Sequence, residues 1–99
     1  MLDQMSNDAL VKACQNKLQV VVNYQKKTTG EFVSHTVGVQ EIGVNNKTGE
    51  PCLWGWDVMS NDHIRCFLLA YITGIEVLNI PYVNMTGYPI KINGVELGY

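Results

Sequence analysis

Between Leu18 and Gln25, apolar and polar positions alternate. Leu18, Val20, Val22 and Tyr24 fall on one side of an extended chain; Gln19, Val21, Asn23 and Gln25 fall on the other. A period of two marks a half-buried strand. Ahead of it the spacing changes. Leu10, Ala13, Cys14 and Leu18 recur every three to four residues, which gives a helix one apolar face. Ser6-Asn7-Asp8 supplies a helix start. Ser and Asn side chains accept from free backbone N–H groups, and an acid suits the positive end of the helix dipole. The helix is predicted to end near Asn16-Lys17. It is short and needs tertiary packing to persist.

After the first strand, Lys26-Lys27-Thr28-Thr29-Gly30 reads as a turn. A long second strand is predicted from Glu31 to Val44, with Val33, His35, Val37 and Val39 on one face. Gly38 and Gly43 interrupt it where a bend or bulge is expected. Asn45 to Glu50 forms a polar turn, and the third strand follows from Cys52 to Val58. Ser60-Asn61-Asp62 turns again into a fourth strand, His63 to Ala70, and a short fifth, Ile72 to Leu78. Pro81 and Pro89 break the tail. Ile90 to Leu97 then predicts a hairpin, because Asn93-Gly94 suits a type I′ turn. The pattern predicts a mainly β (α+β) chain: an N-terminal helix (residues 1–17), a small SH3-like or Sm-like antiparallel barrel (18–79), and a tail with a C-terminal β-hairpin (80–99). Barrel closure removes exposed sheet edges. At 99 residues the chain supports one core and hence one domain.

Composition narrows the function classes. The chain is 46% hydrophobic, which argues against disorder, and only 16% charged, which leaves apolar surface for a partner to cover. The fourth strand sharpens this: Ile64, Cys66, Leu68 and Ala70 occupy one face, Phe67 and Leu69 the other. A small barrel has one interior, so the outer face needs the helix, the tail or another chain. A homo-oligomer is the expected solution. Nine acids against seven bases disfavour nucleic acid as a partner without excluding it. Cys14, Cys52 and Cys66 form no CxxC pair and lie in apolar runs. An odd count with no basic-apolar leader implies buried free thiols and a cytoplasmic setting. No run reaches membrane-spanning length.

Candidate chemistry is sparse. GxSxG, HExxH, P-loop and GxGxxG motifs are all missing, no acid pair forms a dyad, and an enzyme is not expected. Two histidines and three cysteines far apart do not make a metal signature, and no cofactor is implied. Trp54 and Trp56 share a strand face with Cys52 and Val58. They read either as a stacking platform for a flat ligand or as a core or interface stripe. Arg65 stands in an apolar run. Its guanidinium needs a ligand anion, an ion pair such as Asp57 across the hairpin, or an exit to solvent. His35, among valines, reads as a ligand contact or a hydrogen-bonded structural histidine.

The order of elements and several identities resemble the WYL domain family over about residues 9–79. The helix ending ALVKACQNKLQVVVNY leads straight into a strand closing on tyrosine. A Leu-x-Gly-aromatic strand, an Arg-x-Phe strand and Ile-x-x-Ile-x-Val-Leu follow. Tyr24 falls on the family's first-strand tyrosine, His35 near a family arginine, and Gly38 where proline is usual. The naming tripeptide falls on Pro51-Cys52-Leu53 and keeps only Leu53. Gly55 replaces a small alanine, Trp56 takes the aromatic position after it, and Arg65 and Phe67 match Arg-x-Phe. The family's Arg-Leu-Asp-Arg-Ile is Leu68-Leu69-Ala70-Tyr71-Ile72 here, without its two arginines and aspartate. The resemblance implies an Sm-like barrel in a bacterial or phage regulatory protein that senses a nucleotide or nucleic acid through basic residues. For this chain the expectation is non-catalytic binding of a small anionic or nucleotide-like ligand at Tyr24, His35, Trp54, Trp56 and Arg65. Sequestration of a nucleotide signal is one form of it. The rival expectation is a structural, self-assembling or protein-binding subunit without a ligand.

Overall fold

The computed structural model describes residues 4–58, 64–83 and 87–98, with side chains from Asp8 onward. The chain runs through helix α1 (Gln4–Gln15) and strands β1 (Leu18–Gln25), β2 (Phe32–Val44), β3 (Pro51–Asp57) and β4 (Ile64–Leu68). A 3₁₀ turn (Leu69–Tyr71) leads to β5 (Ile72–Pro81), β6 (Lys91–Ile92) and β7 (Val95–Glu96). Helix α1 includes Ser6 and Asn7 rather than starting after them. It stops where Lys17 adopts a left-handed conformation (φ 56°). That corner is held by tertiary bonds: the Tyr82 N–H donates to Lys17 O at 2.7 Å, and Lys17 Nζ to Leu97 O at 3.0 Å.

The strands form an antiparallel path in the order β4-β3-β2-β1-β5. Laid flat, its four steps of about 4.8 Å would hold β4 and β5 roughly 19 Å apart. The 3₁₀ turn joining them spans only about 8 Å at roughly 2 Å per residue. The sheet must therefore roll up. Tyr24 of β1 and Phe67 of β4, two strands that are not neighbours in the path, meet with ring centroids 5.2 Å apart. The fourth strand is shorter than its apolar run, because Leu69–Tyr71 leaves the sheet to make this corner.

The length of β2 has its own cause. Its first half pairs with β1 from Phe32 to Gly38. After a register shift between Val39 and Glu41 in its pairing with β3, Glu41 and Ile42 pair in parallel with Lys91 and Ile92 of β6. One strand thus joins the barrel to the C-terminal hairpin. Asn93 and Gly94 both have positive φ (51° and 86°), the type I′ turn that Asn-Gly predicts.

Alternation sorts the side chains. Val20, Val22, Val37, Val39, Ile42, Leu53, Phe67 and Ile72 are buried together in one cluster. Leu10, Ala13 and Cys14 of α1 and Tyr82, Ile90 and Ile92 of the tail extend it. The predicted helix face is thus the buried one. Close packing is tightest at Gly38, where a Cβ would lie 2.0 Å from the Tyr82 ring.

Candidate anion site at the barrel mouth

Where β1 and β3 end and β2 and β4 begin, the rolled sheet opens. A cavity of about 310 Å³ lies there, lined by Tyr24, Lys26, Val33, His35, Ile64, Arg65, Cys66 and Phe67. Register brings these residues together. Tyr24 stands opposite Val33, Val22 opposite His35, Val37 opposite Asp57, Gly55 opposite Arg65 and Leu53 opposite Phe67. Each is an inward position, continuing outward to the rim the alternation that buries the valines.

Asp57 anchors the site. It is 4% exposed, and its Oδ2 accepts from Arg65 Nε at 2.5 Å. A buried carboxylate requires such a partner. The bond runs through Nε, and the Arg65 side chain stays 37% exposed. The ion pair foreseen as one reading of Arg65 is present, and it orients the cation without enclosing it. His35 Nδ1 lies 3.8 Å from the same Asp57 oxygen, an ion pair only when the ring is protonated. Burial pushes the His35 pKa below its ordinary 6.5. The Arg65 charge and, more weakly, Lys26 push the same way, while Asp57 opposes them. Lys26 sits at the rim, 3.9 Å from Glu31. Two aromatic faces complete the wall: Phe67 meets Tyr24 edge-on and the His35 ring at 5.7 Å.

Three of the five candidate residues, Tyr24, His35 and Arg65, therefore converge. Trp54 and Trp56 do not line this cavity. They share a face with each other, as predicted, but it is the opposite one. Along β3 they alternate with Leu53, Gly55 and Asp57, which are buried and face inward. Both tryptophans are half-buried, and Trp56 packs against the core cluster. Residue types alone point the wrong way, because the side that carries the charged Asp57 is the one that turns inward, with Arg65 as its partner. Lys26 and Phe67 were missed as wall residues. The signal was available: Lys26 continues the alternation Val20, Val22, Tyr24, and Phe67 is two residues from Arg65.

The cysteines divide. Cys14 and Cys52 are buried as predicted, but Cys66 is exposed, because β4 is the end strand of the sheet path. Burial pushes Cys14 up to about 12. Partial burial and the Cys52 thiol beside it push Cys66 up to about 11. Neither resembles an activated nucleophile. His63 and the turn Ser60-Asn61-Asp62 lie outside the described residues. Among the described residues no three His, Cys, Asp or Glu side chains converge on a metal-sized site, and no helix is long and apolar enough to cross a membrane.

No family model matches this chain, and no curated protein matches it. Its structure is similar to part of a solved one, the proteasome accessory factor B/C (PafBC) of Arthrobacter aurescens. The TM-score is 0.72, with 24% sequence identity over 86% of this chain and 13% of that chain. At this identity the likeness is one of fold, and this chain spans only a small part of that protein's length.

Proposed function

We propose that this chain is a non-catalytic regulatory binding module whose barrel mouth takes a small anionic, nucleotide-like ligand. The observation that carries this reading is the convergence of Arg65, Lys26 and His35 with the Tyr24 and Phe67 rings around one open cavity, with Arg65 oriented from behind by buried Asp57. The cations suit an oxyanion, and the rings suit the flat group attached to it. At about 310 Å³ the cavity is at the small end of ligand pockets. It has room for one phosphate and one base rather than for a duplex. The fold likeness to part of PafBC and the WYL resemblance agree with a regulatory module of this kind.

Equilibrium dialysis against labelled AMP and the dinucleotide ApA tests the reading. Arg65→Gln keeps a donor for Asp57 and is expected to weaken binding at least about tenfold, the worth of a charge-assisted hydrogen bond. Lys26→Ala at the rim is expected to cost about twofold to fivefold. Trp56→Phe is expected to change nothing. Binding that survives Arg65→Gln would contradict the assignment.

A second reading rests on β4 as the end strand of the sheet path. Ile64 and Cys66 are exposed there, beside half-buried Trp54 and Trp56, whereas α1 packs on β1 and β5 and the tail hairpin on β2. This edge would support a self-associating subunit. Native mass spectrometry reads the difference. A symmetric oligomer dissociated by Trp56→Ala and indifferent to Arg65→Gln would favour assembly over ligand binding.

A further inference from the structure

Given an anion in the mouth, as proposed above, the charge balance around it is the next constraint. Arg65 and Lys26 are each matched by a carboxylate, Asp57 and Glu31, so the described charges at the mouth come close to cancelling. An incoming anion would leave the site negative unless a further positive charge appeared. His35 is placed to supply it. Its ring lines the cavity, with Nδ1 turned toward Asp57 at 3.8 Å, a separation that becomes an ion pair once the ring is charged. The groups that act on His35 come from each neighbouring element: Asp57 from β3, Arg65 from β4 and Lys26 from the turn after β1. Tyr24 and Cys66 add a phenol and a thiol to the same wall. In the empty site burial, and after it the Arg65 charge and more weakly Lys26, hold the His35 pKa below its ordinary 6.5 against the opposing pull of Asp57. A bound anion offsets those cations and makes protonation favourable.

We propose that His35 takes up one proton as the anion enters, so that the mouth accepts a singly charged oxyanion together with one H⁺ and disfavours a second negative charge. The proton comes from the solvent, and no covalent bond forms or breaks. A phosphodiester or a carboxylate next to a planar group has the required charge; a terminal phosphate at neutral pH carries more. Linkage gives the sign. Protonation is easier in the bound state than in the free one, so affinity rises as pH falls through the region of 6.5 and levels off below the free-state value, by at most about tenfold per unit.

Titration calorimetry with ApA at pH 7, in buffers of different ionisation heat, counts the protons taken up. The expected result is a clear uptake, of at most one proton and growing toward pH 6.5, for the unaltered chain and close to zero for His35→Asn. ApA is expected to bind more tightly than AMP, which is mostly dianionic at this pH. Benzoate serves as the carboxylate arm, and the tighter of ApA and benzoate identifies the oxyanion. NMR of the unaltered chain gives a check that no variant can spoil. The His35 ring, distinguished from His63 by the His63→Asn spectrum, should titrate at higher pH when ApA saturates the site. ApA binding that is lost in Arg65→Gln but brings no proton uptake and no shift of His35 would overturn this inference and leave the proposed function standing. AMP binding more tightly than ApA at pH 7 would overturn the single-charge rule. No binding of any of the three probes would overturn the proposed function and this inference with it.

Discussion

The two ends of β1 are built from the same alternation and do opposite things. At Leu18 the strand meets α1; Leu18 itself is half-buried beside a shallow surface cavity, but beneath it Leu10, Ala13 and Cys14 are buried and dry, with Tyr82 and Ile90 of the tail closing the same cluster. At Tyr24, about 20 Å further along an extended chain, the inward positions become Lys26, His35, Asp57 and Arg65, and the barrel opens. Period two places residues inward in both cases. What differs is whether something covers the end. A helix and a tail can exclude water from a methyl surface. A charged rim stays hydrated unless a ligand replaces the water.

Substitutions should act differently at the two ends, with the largest effects at the dry one. Leu10 has no exposed surface, and Leu10→Ala is expected to destabilise the fold by about 2–5 kcal/mol in a urea titration. Gly38→Ala drives a methyl into the Tyr82 ring and is expected to cost about 1–3 kcal/mol or more by the same measurement. Neither variant should alter ligand affinity in the molecules that remain folded. The mouth should behave the other way: Arg65→Gln lowers ligand affinity, which neither core variant does, although leaving buried Asp57 with only a neutral donor also costs stability.

Smaller effects sharpen the same contrast. His35 has a pKa in the folded chain below its unfolded value, so the unfolded chain binds more protons as pH falls. Without ligand, stability is therefore full above the unfolded value near 6.5 and declines as pH drops through it. The decline should vanish in His35→Asn, and melting temperatures from pH 8 to 5 would show it. The smallest signal is chemical. With thiols pushed to about 12 at Cys14 and about 11 at Cys66, alkylation of the native chain at pH 8 should be slow throughout. It should reach exposed Cys66 first and buried Cys14 and Cys52 only after unfolding. Equal labelling of all three thiols would show that the helix end is not dry.

Much of this was legible beforehand, and the failures have physical causes. The helix face, β1, the start of β5 and the Asn93-Gly94 turn follow from periodicity and turn chemistry, because each is a local choice. The end of β4 does not. Leu69 to Tyr71 is as apolar as the strand before it, and it leaves the sheet only because β4 and β5 must be joined around a closing barrel. The face of Trp54 and Trp56 was also illegible. Residue types put charged Asp57 outside and the tryptophans within, but register, set by pairing with β2, made the opposite choice. Lys26 looked like a turn residue and is one, yet the strand's alternation carries it to the rim. The parallel pairing of β6 with β2 had no sequence signal, since two residues of ladder leave no pattern.

The most direct test of the account is a two-dimensional NMR titration of the unaltered chain with ApA, following backbone amides and the two indole N–H signals. Shifts should concentrate at Tyr24, Lys26, His35, Arg65 and Phe67, with the indoles of Trp54 and Trp56 still. Shifts centred on the tryptophan face, or none anywhere at millimolar ApA, would contradict it.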